Sequence, residues 1–211
     1  MARILLEPGE ALVEEKKSKF IAMSAVVKDE AEANSFIASR RKLHYDARHH
    51  CSAYILSGNP LILHSSDDGE PQGTAGKPIL GVLEAEGIVD VCVCVTRYFG
   101  GTLLGTGGLS RAYREAAKLC IENSLTVELR TVCETDITVS YTDYGKLERA
   151  YRDRGYIITD MVYGENVTVS ADIPVEETVR FSEFIKNLTD GRGSAVISDP
   201  VSKPVVENKK K

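Results

Sequence analysis

The sequence lacks an apolar run long enough to cross a bilayer. Its best candidate, Gly87-Ile-Val-Asp-Val-Cys-Val-Cys-Val95, is short and carries Asp90, where a membrane helix needs about 20 apolar residues; it reads instead as a buried strand. An excess of positive charge is also missing. With 26 Lys and Arg against 31 Asp and Glu, the net charge is -5, which excludes the global basic field that many nucleic-acid binders use for long-range attraction. Any RNA contact must come from a local patch. The five cysteines are odd in number and scattered, without the spacing of a secreted disulfide framework. The N-terminus, Met1-Ala-Arg-Ile-Leu-Leu-Glu-Pro8, has no charged region followed by a long apolar one, so a signal peptide is not expected. A reducing cytoplasm is the expected compartment, with no membrane partner. What is present, 43% hydrophobic and 27% charged residues over a length of 211, suits one large or two small globular domains.

The elements can be placed from periodicity and punctuation. Lys19 to Val27 is an apolar run, and Asp29 suits the N-cap of a helix carrying Ala33, Phe36, Ile37 and Arg40. His49 to Leu56 and Leu61 to His64 flank Ser57-Gly-Asn-Pro60 as an antiparallel hairpin. An acidic, Gly- and Pro-rich loop follows from Ser65, and Pro78 suits the first turn of a helix running to about Glu86. From Val89 to Phe99 both alternating sets are apolar, which predicts a central strand covered on both faces. A Gly-rich loop over 99–108 then feeds an amphipathic helix with Leu109, Ala112, Tyr113, Ala116 and Leu119 inward. After a connector to about Arg130 the order is strand, helix, strand, turn at Gly164, strand, helix, strand, the βαββαβ pattern of a ferredoxin-like domain. The expected division is 1–128, 129–203 and a flexible basic tail over 204–211.

Two segments carry chemistry. Bare backbone N–H groups in the Gly-rich loop, a helix N-terminus and Arg97 at the loop's start suit an anion, phosphate above all. The competing reading gives the glycines to tight turns and close strand–helix packing. Gly105-Thr-Gly-Gly-Leu-Ser110 matches neither the dinucleotide nor the Walker pattern. The second segment, Asp67-Asp-Gly-Glu70, puts three carboxylates within four residues. These can bind a divalent cation weakly, act as acid and base, or fold into a turn in which one of them, taken as Asp68, pairs with Arg97. Cys92 and Cys94 with His49 and Cys51 make a poor zinc set, and no G-x-S-x-G is present. In the second domain, Val167-Thr-Val-Ser-Ala-Asp-Ile173 alternates apolar with polar and acidic residues, so its open face lacks the aromatics that stack RNA bases.

Asp67-Asp-Gly-Glu-Pro-Gln-Gly-Thr-Ala-Gly-Lys-Pro-Ile-Leu80 and Val95-Thr-Arg-Tyr-Phe-Gly-Gly-Thr-Leu-Leu-Gly-Thr-Gly-Gly-Leu-Ser-Arg-Ala-Tyr113 together resemble the signature of the IMPACT/YigZ family. The resemblance implies an α+β protein of two domains. The first would have the βαβ-type fold of a small-subunit ribosomal protein and of domain four of elongation factor G. The second would be ferredoxin-like, similar to that factor's domains three and five. Eukaryotic members relieve translational repression through an additional N-terminal domain with no counterpart in this sequence, so their protein partner is not carried over. The resemblance places the functional surface on Asp67, Asp68, Gly69, Glu70, Gly73, Thr74, Gly76, Arg97, Tyr98, Gly100, Gly101, Gly105 and Gly107. The expected function is translation-linked regulation by binding RNA or the ribosome at that surface, without catalysis, metal or cofactor. A contiguous patch of Lys77, Arg97, Arg111 and Arg114 would support it, and a surface on which acids intersperse those residues would weaken it. The alternatives are a small-molecule hydrolase using Asp67, Asp68 or Glu70 with Arg97 as anion holder, and a module contacting a translation-regulatory protein.

Overall fold

The computed structural model describes residues 2–204, which divide into two compact units, one ending at Glu128 and the other beginning at Leu129. In the first unit, β1 (Arg3–Glu7), β2 (Glu10–Glu15), β3 (Ser18–Val26), α1 (Glu30–Leu43), β4 (His49–Leu56), β5 (Ile62–Ser66), α2 (Gly76–Glu86), β6 (Val91–Tyr98) and α3 (Gly105–Glu122) follow in order. Five of the strands form an antiparallel sheet, β2-β3-β6-β4-β5. Both β3 and β4 are antiparallel to β6, so they run parallel to each other, and α1 joins them in a split βαβ crossover. The sequence expectation of a covered central strand holds: Val91 through Val95 are fully buried. Alternation sends Cys92 toward α1, where it packs with Ala33, Tyr54 and Leu56, while α2 and α3 cover the opposite face. The Asp29 carboxylate accepts from the Glu32 N–H at 2.8 Å, the expected cap of α1.

Three local expectations change. The sequence assigns no element to the stretches of β1 and β2, whose apolar residues are consecutive rather than alternating; pairing with neighbours makes them strands. The connector before Arg130 is the start of β7 (Leu125–Val139), whose first residues pair with β1. The Gly-rich segment does not stay a loop through residue 108, because α3 already begins at Gly105. Gly105, Thr106, Gly107 and Gly108 therefore form the first turn of a helix, and the open loop is only 99–104.

From Leu129 onward, β7 continues into α4 (Tyr141–Arg154), β8 (Ile157–Tyr163), β9 (Val167–Pro174), a short 3-10 turn (Val175–Glu177), α5 (Thr178–Leu188), β10 (Ser194–Ile197) and β11 (Val201–Pro204). The order β10-β7-β9-β8, antiparallel throughout, is the ferredoxin-like arrangement, with β11 as an addition also paired to β7. Val167, Val169, Ala171 and Ile173 of β9 face a core built with Leu147, Tyr151, Phe181 and Ile185 from the two helices. Thr168, Ser170 and Asp172 alternate to the other face. Pro204 belongs to β11, and residues 205–211 of the expected tail lie outside the described residues.

Candidate nucleic-acid interface

The registers of the first sheet decide what meets at one of its ends. Lys19 of β3 is opposite Tyr98, His49 of β4 is opposite Arg97, and Ser52 is opposite Ser66 at the end of β5. The turn holding Lys16 and Lys17, the loop 44–48, the acidic loop and the loop 99–104 therefore converge. Close approach of two of them requires Gly100: a Cβ there would lie 2.0 Å from the Lys17 backbone.

At this end each carboxylate of the acidic loop has a fixed task. Asp67 accepts from the N–H groups of Gly73 at 2.6 Å, Ala75 at 3.0 Å and Gly76 at 2.8 Å, folding the loop onto the start of α2. Burial raises the carboxyl's pKa, but these three donors outweigh it and hold it below the usual aspartate range. Asp68 accepts from Arg41 Nη2 at 2.5 Å and from the His50 N–H at 2.6 Å. Glu70 accepts from Arg97 Nη1 at 2.6 Å and from the Tyr113 hydroxyl at 2.8 Å, and the side chains of Glu70 and Arg97 are 3% and 7% exposed. The lock between the acidic loop and Arg97 thus exists, but Glu70 makes it rather than Asp68. Asp68 sits at φ +42°, which turns its carboxylate toward Arg41 and β4. Among the described residues no group of three His, Cys, Asp or Glu side chains converges as a metal site.

A chain of hydrogen bonds fastens the 44–48 loop to β6. Arg40 Nη2 donates to His44 Nε2 at 2.9 Å, His44 Nδ1 donates to the Tyr98 hydroxyl at 3.0 Å, and Tyr98 donates to Asp46 at 2.9 Å. This chain needs a neutral His44, and burial together with the Arg40 charge does lower its pKa. The cysteines are all buried and unpaired. Burial raises the thiol pKa of Cys51 and Cys92 and pushes Cys94 up to about 12 and Cys120 up to about 11, so none of these four is poised as a nucleophile or ligand.

Glu70, Arg97 and Gly105 line one open cleft of about 400 Å³, with Arg48, His49, Pro71, Phe99, Leu103, Leu104, Thr106 and Leu109. The remaining expected residues divide by location. Gly69 packs beside the His49 ring. Gly73, Thr74 and Gly76 build the joint between the acidic loop and α2: Thr74 is buried with its hydroxyl on the Pro71 carbonyl at 2.6 Å, and a Cβ on Gly76 would strike Ser66. Gly101 is in the open loop, and Gly107 is exposed in the first turn of α3. Arg97, Arg111 and Arg114 do not form one basic surface, and acids stand among them, the arrangement that weakens RNA binding at that place. Arg97 is buried in its ion pair, and Arg111 and Arg114 line a separate groove with Glu15 and Glu115. Sequence reasoning missed Lys16, Lys17, Tyr45, Arg48 and Phe99. Only the adjacency of Phe99 to Arg97 and Tyr98 signalled any of them, because the rest are assembled by strand register.

The Impact N-terminal domain model matches residues 16–121, which contain both sequence motifs. The chain belongs to the IMPACT family. IMPACT family relatives include YvyE of Bacillus subtilis, 39% identical over 88% of this chain and 86% of its own length. YigZ of Escherichia coli is 34% identical over 87% and 91%, and a family member of Haemophilus influenzae is 43% identical over 70% and 72%. Residues 137–192 match a second family, DUF1949, a domain of unknown function. A solved crystal structure of a hypothetical protein, 32% identical, superposes with a TM-score of 0.58 over 92% of this chain and 96% of that one. IMPACT membership supports a family role of the translation-regulating kind, and both domains agree with the α+β reading.

Proposed function

We propose that this IMPACT family chain is a cytoplasmic RNA-binding protein that holds a single-stranded segment, free or within the ribosome, on the loop-bearing end of its first sheet. The observation that supports this reading is the separation of charges there. Asp46, Asp67, Asp68 and Glu70 all have partners within the protein and Glu14 pairs with Lys19, which leaves Glu15 as the exposed acid beside Lys16. Lys16, Lys17 and Arg48 are exposed and form no ion pair among the described residues. Beside them Tyr45 is 86% exposed and Phe99 48% exposed. Cations that track a backbone and aromatic faces that stack bases are the two elements of sequence-tolerant single-strand binding. The same geometry weighs against the hydrolase reading, because Asp67 and Glu70 are immobilised by several donors each.

The test is fluorescence anisotropy with a labelled single-stranded oligoribonucleotide across a salt series, comparing the wild type with Lys16→Ala, Lys17→Ala and Arg48→Ala combined, and ribosome co-sedimentation of both. If each cation meets one phosphate, the triple variant loses about 2 from the slope of log affinity against log salt, at about 0.7 per contact. Equal slopes and affinities would remove the reading. A second reading, contact with a translation-regulatory protein, is favoured by one observation: edge strand β8 exposes Ile157, Met161, Val162 and Tyr163. Val162→Lys should abolish such a contact while leaving RNA binding intact, as tested by pull-down with the purified regulator.

A further inference from the structure

The cleft beside α3 contains donors that the folded protein leaves without partners. Arg97 lines it, is 6% exposed, and among the described residues donates only through Nη1, to Glu70. Its Nε is buried and has no hydrogen-bond partner among the described residues, so Glu70 satisfies only part of the guanidinium. The N-terminus of the 18-residue helix α3 opens onto the same cleft through Gly105 and Thr106. No side chain caps this helix and no acidic residue stands in its first turn, so its leading N–H groups and its positive dipole end remain available. Arg48, with no ion pair among the described residues, is on the same wall. Gly105, at φ +68°, both permits the sharp turn into the helix and leaves its own N–H uncovered by a side chain.

We infer that this cleft is a seat for the terminal phosphate of a nucleotide. The inference rests on the RNA-binding reading and sharpens it. Convergent donors from a helix end, a buried guanidinium and an exposed one suit a dianionic monoester, which offers three free oxygens, better than a chain phosphodiester, which offers two and a single charge. Glu70 also reaches the cleft, but its Oε1 accepts from both Arg97 and Tyr113, so it cancels one charge and leaves the helix end and Arg48 uncompensated. The remaining walls, Pro71, Phe99, Leu103 and Leu104, are apolar, as a base next to that phosphate requires. A volume of about 400 Å³ fits one nucleotide rather than a tract, near the lower end of the usual 300–1,000 Å³ of small-ligand sites. The ligand is therefore either a free nucleoside 5′-monophosphate or the 5′-phosphorylated end of an RNA strand.

The test compares two oligoribonucleotides of one sequence, one with a 5′-phosphate and one with a 5′-hydroxyl, with adenosine and uridine 5′-monophosphates as competitors. Two variants accompany the wild type: Thr106→Glu, which puts a carboxylate at the seat in a helix position where an acid favours folding, and Thr106→Gln, its neutral isostere. Unfolding midpoints confirm that both are folded. The expected result is at least tenfold tighter binding of the 5′-phosphorylated strand, a preference retained by Thr106→Gln and lost in Thr106→Glu. Competition by the monophosphates at similar concentrations would assign the seat to free nucleotides, and competition only by the phosphorylated strand would assign it to RNA ends. Equal binding of the two strands, or a preference that survives Thr106→Glu, overturns the seat and leaves RNA binding standing. Binding of a monophosphate that is lost in Thr106→Glu, with neither strand bound, supports the seat and overturns the RNA reading. No binding of any probe overturns both.

Discussion

The loop-bearing end of the first sheet and the open face of the second unit's sheet both give their acids partners within the protein, but they differ in what stands beside those acids. At the first, Asp67, Asp68 and Glu70 turn onto backbone donors, Arg41, Arg97 and the Tyr113 hydroxyl, Asp46 holds the Tyr98 hydroxyl at the surface, and Lys16, Lys17, Arg48, Tyr45 and Phe99 are exposed beside one another with Glu15 as the exposed acid next to Lys16. At the second, Glu134, Asp136 and Asp160, bonded to Lys203, to the Ser170 hydroxyl and to the Met161 N–H, border a depression in which Lys203 is the single cation among the described residues. Both halves of the sequence carry a modest net negative charge, about two up to Arg130 and about three beyond it. Net charge thus fails to predict which surface suits a phosphate backbone. What decides is whether cations without an acid partner stand at the surface beside the paired carboxylates, as Lys16, Lys17 and Arg48 do among the described residues.

The largest effect should come from breaking the internal pairing at the first of these surfaces. Glu70→Ala leaves Arg97 buried without its counter-charge and should cost about 3–5 kcal/mol, read as a shift of the denaturation midpoint of the first unit. Next, Lys16→Glu with Arg48→Glu should weaken RNA binding by at least tenfold at low salt, whereas Glu134→Lys with Asp136→Lys in the second unit should change it less than twofold; comparable changes from both would erase the distinction. The matching deletion in the second unit, Lys203→Ala, removes bonds of 2.7 Å to Asp172 and 2.6 Å to Glu134 from a half-exposed site. It should cost no more than about 1 kcal/mol, since exposed pairs contribute little.

The smallest effect is a dependence on pH. Burial and Arg40 hold the His44 pKa below its usual 6.5, so the unfolded chain binds the proton more readily. The stability this group contributes is present above about pH 6.5 and is lost as pH falls toward the folded-state value. His44→Gln, which keeps a hydrogen-bonding side chain but does not titrate, should flatten the stability profile between pH 7 and 5. An unchanged slope would show that Arg40, His44 and Tyr98 do not form the chain described.

The sequence was most informative where a single element determines its own environment. The doubly apolar pattern of β6 announced a strand covered on both faces, and the alternation of β9 announced one buried and one polar face. The two motifs announced the family. The acidic loop's bond to Arg97 was also legible, but its partner was not. Which of Asp68 and Glu70 reaches Arg97 depends on the positive φ at Asp68 and on Tyr113 arriving from α3, neither of which spacing reveals. The cationic and aromatic side chains at the sheet end were illegible for a related reason. Lys16, Arg48 and Phe99 are far apart in sequence, and only the pairing of Lys19 with Tyr98 and of His49 with Arg97 brings their loops together.

The most direct test of the charge separation is ultraviolet crosslinking of a single-stranded oligoribonucleotide to the intact protein, followed by mass spectrometric mapping of the crosslinked peptides. The account predicts crosslinks on the peptides carrying Tyr45 and Phe99, suppressed when Lys16, Lys17 and Arg48 are replaced by alanine. Crosslinks concentrated between Leu129 and Pro204, or unaffected by those replacements, would contradict it.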